Sequence, residues 1–145
     1  MTNPPDIITQ NDPQSLWVVF SGESEIRWIN WFLKKGFRHC YALINDGSKW
    51  ITYDPLAHKT DIAIHHQISA NFDLPGWLQA RGLAVVKISP PSVKKKALPP
   101  AFFTCVEAVK RLSGVRKLSI LTPYQLFKEL TAHTPPAHVS HRNVI

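Results

Sequence analysis

A chain of 145 residues with 44% hydrophobic and 10% aromatic content is the size of one domain with one core, able to bury roughly 68–70% of its unfolded surface. No apolar run approaches the roughly 18 residues of a membrane span, and the opening Met1-Thr-Asn-Pro-Pro-Asp6 has neither the basic nor the apolar stretch of a signal peptide. Two cysteines are too few for a disulfide framework and stay thiols in a reducing compartment.

In chain order, residues 1–15 are rich in Pro, Asn and Asp and read as a flexible arm, residues 16–131 as the single domain, and residues 132–145 as a C-terminal tail that is frayed or packs only against a partner. Leu16 to Phe20 is a short β-rich apolar run, expected as a buried strand. Residues 24–35 carry Ile26, Trp28, Ile29, Phe32 and Leu33 at helical spacing before Gly36, which predicts a first helix. Phe37 to Ile44 and Lys49 to Tyr53 are β-prone runs flanking Asn45-Asp46-Gly47-Ser48, and an Asp-Gly pair in that position is a strong hairpin signal. A short strand is expected within residues 60–68, a helical turn over residues 74–80 and an apolar strand over residues 83–88. The Pro- and Lys-rich stretch 89–100 reads as an exposed loop. Thr104-x-x-Glu107 opens a helix that ends at Gly114, and Thr122-Pro123-Tyr124-Gln125 opens another in the same way.

The capping box at Thr104 makes Cys105 the first helical residue, where unsatisfied N–H groups and the helix dipole favour a thiolate. A cysteine nucleophile also needs a base, and His39 lies on the first strand of the hairpin. If Asp46-Gly47 is a two-residue loop, Asn45 pairs with Ser48 and the count back sets His39 opposite Asp54. Directly opposed residues share a face about 4.5–5.5 Å apart, so Asp54 is placed to hold the imidazole tautomer. Each residue has a plainer reading as well: a free Cys is usually a small buried hydrophobe, a lone strand His is usually structural, and Asp before Pro is a common turn starter.

The segment Gly36-Phe-Arg-His-Cys-Tyr-Ala-Leu-Ile44, followed much later by Phe103-Thr-Cys-Val-Glu-Ala-Val-Lys110, resembles the circularly permuted NlpC-like branch of the papain-like cysteine peptidases, and small phage and prophage proteins of that type. The resemblance implies an α+β, papain-like fold in which an antiparallel sheet packs against helices, one of them bearing the nucleophilic Cys. It implies Cys105 as nucleophile, His39 as base and Asp54 as orienter. It further implies an amide-cleaving hydrolase, in its most concrete form a phage-associated peptidoglycan endopeptidase. Such a protein would be made in the bacterial host cytoplasm and carried in the virion, with a peptide or peptidoglycan substrate and other virion proteins as partners. No substrate-recognition motif accompanies the two segments. The alternative is a non-catalytic structural or assembly protein of a phage particle built on the same scaffold.

Other features carry less. His65 and His66, adjacent on a strand, point to opposite faces, and neither Asp61 nor His58 completes a metal spacing, so no metal or cofactor is expected. Cys40, next to His39, is expected to face the core. Trp17, Trp28 and Trp31 fit either a substrate groove or the core. The +7 formal charge and pI near 9.7 fit a polyanionic neighbour, such as an acidic cell-wall polymer, and equally a solvated basic surface. The one dense basic run, Lys94 to Lys96, sits among prolines, and nucleic acid is not an expected partner.

Overall fold

The computed structural model describes residues 15–22, 33–56, 58–89, 104–134 and 139–140. Strands β1 (Ser15–Ser21), β2 (His39–Asn45), β3 (Trp50–Pro55), β4 (Thr60–His65), β5 (Ala84–Ile88) and the two-residue β6 (Val139–Ser140) form one antiparallel sheet. Their order across the sheet is β4-β3-β2-β1-β5-β6. Among the described residues three helices complete the α+β fold: α1 (Leu74–Ala80), α2 (Cys105–Ser113) and α3 (Pro123–Ala132). None among the described residues is long and apolar enough to cross a membrane. The expected arm, the expected helix over 24–35, the 89–100 loop with Lys94 to Lys96, and Trp28 and Trp31 lie wholly or largely outside the described residues.

Alternation along β1 divides the core into two layers. Leu16, Val18 and Phe20 join Cys40, Ala42, Ala84, Val86 and Ile88 on the face covered by Val106 and Val109 of α2 and Leu126, Phe127 and Leu130 of α3. Val19, Leu43, Trp50 and Val85 form the other face, covered by Leu74 of α1. Trp17 belongs to this second face, its ring 5.2 Å from that of Trp50, and so lies on the side of the sheet away from Cys105. Phe37 falls just before β2 and packs with Phe20, Tyr124 and Phe127. It anchors the entry to that strand.

The hairpin differs from its expected register. Observed pairs are Asn45 with Trp50, Ile44 with Ile51, Leu43 with Thr52 and Ala42 with Tyr53, so four residues, Asp46 to Lys49, form the loop. Asp46 causes this, because its carboxylate accepts the amides of Ser48 at 2.8 Å and Lys49 at 2.7 Å and the Ser48 hydroxyl at 3.0 Å. Gly47 takes the left-handed conformation the turn requires, at φ 91°. The register moves by two residues, and with a side-chain period of two every residue keeps its expected face.

The tail also departs from expectation, since Val139 and Ser140 pair with Val86 and Val85 and extend the sheet. An exposed edge offers unpaired backbone groups, and these two residues satisfy some of those on β5.

Helix α2 starts at the Thr104 cap and stops at Gly114, which has φ 73° and donates its amide to the Lys110 carbonyl. The Glu107 half of the expected capping box takes another role. Its carboxylate accepts from Lys110 Nζ at 3.1 Å and Arg111 Nε at 3.3 Å. Burial works against the charge, yet these two cations hold the Glu107 carboxyl below its ordinary value. The Lys110 ammonium is 4% exposed and also reaches the Ile120 carbonyl at 3.4 Å, tying α2 to the turn before α3. At α3 the capping box is complete: Gln125 donates its amide to Thr122 Oγ1, and its side chain accepts the Thr122 amide.

Glu107→Ala strands the Lys110 ammonium with a single carbonyl, and a loss on the order of 3 kcal/mol in unfolding free energy is expected by chemical denaturation. Replacing both charges, Glu107→Leu with Lys110→Met, is expected to recover most of that loss.

Candidate active site

Cys105 owes its position to two local features. Thr104 is extended, with φ −128° and ψ 164°, and its hydroxyl accepts the Glu107 amide at 3.1 Å, so the helix begins at Cys105. Val106 and Val109 are then fully buried against the sheet face that carries Cys40 and Ala42, which seats the first turn of α2 over the start of β2. Cys105 is partly buried and packs against this cluster.

His39 is the first residue of β2, and its Nε2 lies 2.6 Å from Asp54 Oδ1 on β3. Continuing the observed register beyond Ala42 and Tyr53 sets Asp54 across from Tyr41, so His39 and Asp54 are diagonal neighbours rather than the direct partners expected. Diagonal positions are about 7–8 Å apart at the backbone, a span that an imidazole and a carboxylate bridge together. The His39 and Asp54 side chains are only 16% and 28% exposed. With Nε2 committed to Asp54, Nδ1 is the ring nitrogen left for Cys105, the neighbouring thiol that helps to raise the imidazole.

Three neighbours fix the protonation states. The Cys105 thiol is pulled from 9.0 to about 5, first by a hydrogen bond from the Cys40 thiol; burial opposes this, and the hydrogen bond and charge of His39 with the Cys40 backbone amide reinforce it. On His39, burial disfavours the charge, but hydrogen bonds with Cys105 and Asp54 and their negative charges outweigh it and raise the imidazole from 6.5 to about 9. The Cys40 thiol is pushed up by its contact with Cys105 and by burial. Of the two sulfurs, Cys105 is the one to ionise, because it reaches the surface, meets the imidazole and stands at a helix start, whereas Cys40 has 0% exposure. Between about pH 5 and 9 the resting site is therefore a thiolate–imidazolium pair.

The three residues singled out from the sequence, Cys105, His39 and Asp54, come together. Two contributors were not anticipated. Cys40 faces the core as expected, yet the core at that point includes the sulfur of Cys105. Tyr41, two residues along the strand from His39, stacks its ring 6.4 Å from the imidazole. Burial and the Asp54 carboxylate push its phenol up to about 12, so it stays neutral beside the pair. Strand alternation alone signals Tyr41 as a same-face neighbour of His39. The adjacent histidines stay apart from the site: His65 Nε2 is hydrogen-bonded to Thr52 Oγ1 at 2.7 Å, and His66 is exposed. Among the described residues no three His, Cys, Asp or Glu side chains are grouped to hold a metal ion. Arg38 gives its backbone amide to the Ser21 carbonyl at 2.9 Å, and its buried Nε has no hydrogen-bond partner among the described residues. Comparison with protein-family models, curated proteins and solved structures finds no match to this chain.

The rate of Cys105 alkylation by iodoacetamide in the folded protein is expected to rise with pH through a midpoint near 5 and to level off above it. His39→Ala, which removes the imidazolium, moves that midpoint upward. A wild-type midpoint near the ordinary 9.0 would contradict the ion pair.

Proposed function

We propose that this chain is a cysteine hydrolase that cleaves amide bonds, with Cys105 as nucleophile, His39 as general acid and base, and Asp54 as the residue that positions His39. The observation that carries the reading is that one imidazole is bonded to the Asp54 carboxylate and stands beside the Cys105 thiol, imidazole and thiol each shifting the ionisation of the other. A structural histidine needs one polar partner; a catalytic one needs a nucleophile on one nitrogen and an orienter on the other.

The chemistry follows from the protonation states. The Cys105 thiolate attacks the substrate carbonyl carbon, and backbone N–H groups at the start of α2 donate hydrogen bonds to the developing oxyanion. His39 Nδ1–H gives its proton to the departing amine, leaving a thioester and a neutral ring. That ring then takes a proton from water as the water attacks the thioester, and the thiolate leaves as imidazolium re-forms. Asp54 keeps the second proton on Nε2 throughout and holds Nδ1 towards the sulfur. The reaction needs both charges at rest, so kcat/KM is expected to rise through about pH 5 and fall through about pH 9.

The papain-like assignment, in its permuted NlpC-like form, is proposed on the same grounds: a His-bearing strand precedes a Cys-bearing helix, and the helix lies across an antiparallel sheet. On that reading the substrate is a peptide amide, in particular the stem peptide of peptidoglycan, and the setting is a phage particle or its bacterial host. The net charge of +7 suits an anionic cell wall.

Cleavage of purified peptidoglycan by wild-type protein, followed by release of new amino termini, tests the proposal. Cys105→Ala is expected to abolish it, His39→Ala to lower it by roughly 10²–10⁴-fold, and Asp54→Asn by at least about tenfold. Equal cleavage by wild type and Cys105→Ala would refute the hydrolase. Absence of cleavage of any peptide or cell-wall amide by the wild type would favour a non-catalytic assembly role for the scaffold.

A further inference from the structure

Nothing in the reaction above requires a second cysteine, yet one lies directly beneath the first. Cys40 is on β2, fully buried, in the core cluster against which Cys105 packs at the start of α2, and each thiol shifts the ionisation of the other. Both are free cysteines, and the chain has no others. Their settings are opposite. Cys105 reaches the surface and is held as a thiolate by His39, while Cys40 is a protonated thiol shielded from solvent by the sheet and α2.

We propose that Cys40 is the resolving thiol of Cys105, and that a hydroperoxide converts the pair into an intramolecular Cys40–Cys105 disulfide that reversibly blocks the nucleophile. In the first step the Cys105 sulfur attacks one oxygen of hydrogen peroxide. An S–O bond forms as the O–O bond breaks, giving a sulfenic acid and hydroxide, which takes the His39 imidazolium proton and leaves as water. In the second, the Cys40 sulfur attacks the Cys105 sulfur; the S–S bond forms, the S–O bond breaks, and the departing hydroxide leaves as water with the Cys40 proton. Two thiol sulfurs give up two electrons, and one peroxide becomes two waters. The contact supplies the proximity that the second step requires, and burial of Cys40 keeps the oxidant from reaching it first. Disulfide formation rests on this contact alone; only its effect on activity rests on the hydrolase reading.

Treating folded wild-type protein with a small excess of hydrogen peroxide, then alkylating in denaturant and weighing the intact chain, tests the proposal. The expected product has lost two hydrogens, takes up no alkyl group, remains monomeric without reductant, and regains both alkylatable thiols with dithiothreitol. Cys40→Ala and Cys40→Ser, which lack the resolving thiol, are expected to accumulate sulfinic and sulfonic acid at Cys105 that dithiothreitol does not reverse. A wild-type product with Cys105 over-oxidised and Cys40 still alkylatable overturns the proposal, and so does a disulfide between two chains. The wild-type arm requires no variant to fold. A disulfide that forms in a protein without amidase activity would leave the switch standing and remove the proposed function alone.

Discussion

The first turn of α2 rests on the first residues of β2, and the site depends on that contact. It is held by apolar packing: Val106 and Val109 bury completely against the strand face that carries Cys40 and Ala42. Each such side chain contributes roughly 1.5–3 kcal/mol by burial. The polar chemistry is thus positioned by a dry interface. Thr104 decides where along the chain the helix begins, and the core decides where that beginning sits. The thiol, the imidazole and the second thiol meet because a helix start and a strand start converge there.

The electrostatics follow from the same contact. A thiolate excluded from most solvent is costly unless donors surround it. Here the donors are the Cys40 thiol, the Cys40 amide and His39. A buried imidazolium is costly for the same reason, and the thiolate and Asp54 offset that. Each charge is therefore the condition for the other. Tyr41 adds a neutral ring against the imidazole and closes that side of the pair without a competing charge. On the far side of α2, Glu107 and Lys110 form a separate buried ion pair that holds the helix to the segment before α3.

Much of this was legible in the sequence, and the exceptions have physical causes. The Thr104 and Thr122 caps, Gly114 and the Leu74–Ala80 helix are local features, and local rules located them. The hairpin was legible as a hairpin but not in its loop length, because an Asp-Gly pair permits several turns and the Asp46 carboxylate selects a four-residue one. Asp54 survived that error because the slip was even. Cys40 was read correctly as a core residue, but no local pattern tells which helix start covers a given strand position, so its contact with Cys105 was invisible. Glu107 was read as half of a capping box, whereas two basic residues one turn on compete for its carboxylate and win. Pairing of β6 with β5 joins positions far apart in the chain, and Pro135-Pro136 masked it.

The central claim is that Cys105 and His39 rest as a thiolate–imidazolium pair. The ring nitrogens of His39, observed by nitrogen-15 NMR at neutral pH in the reduced protein, report on it directly. The account predicts both nitrogens protonated in the wild type, with titration only towards pH 9, and a lower titration midpoint in Cys105→Ala. A neutral single-tautomer ring in the wild type, titrating near 6.5 and indifferent to loss of the Cys105 sulfur, would contradict it.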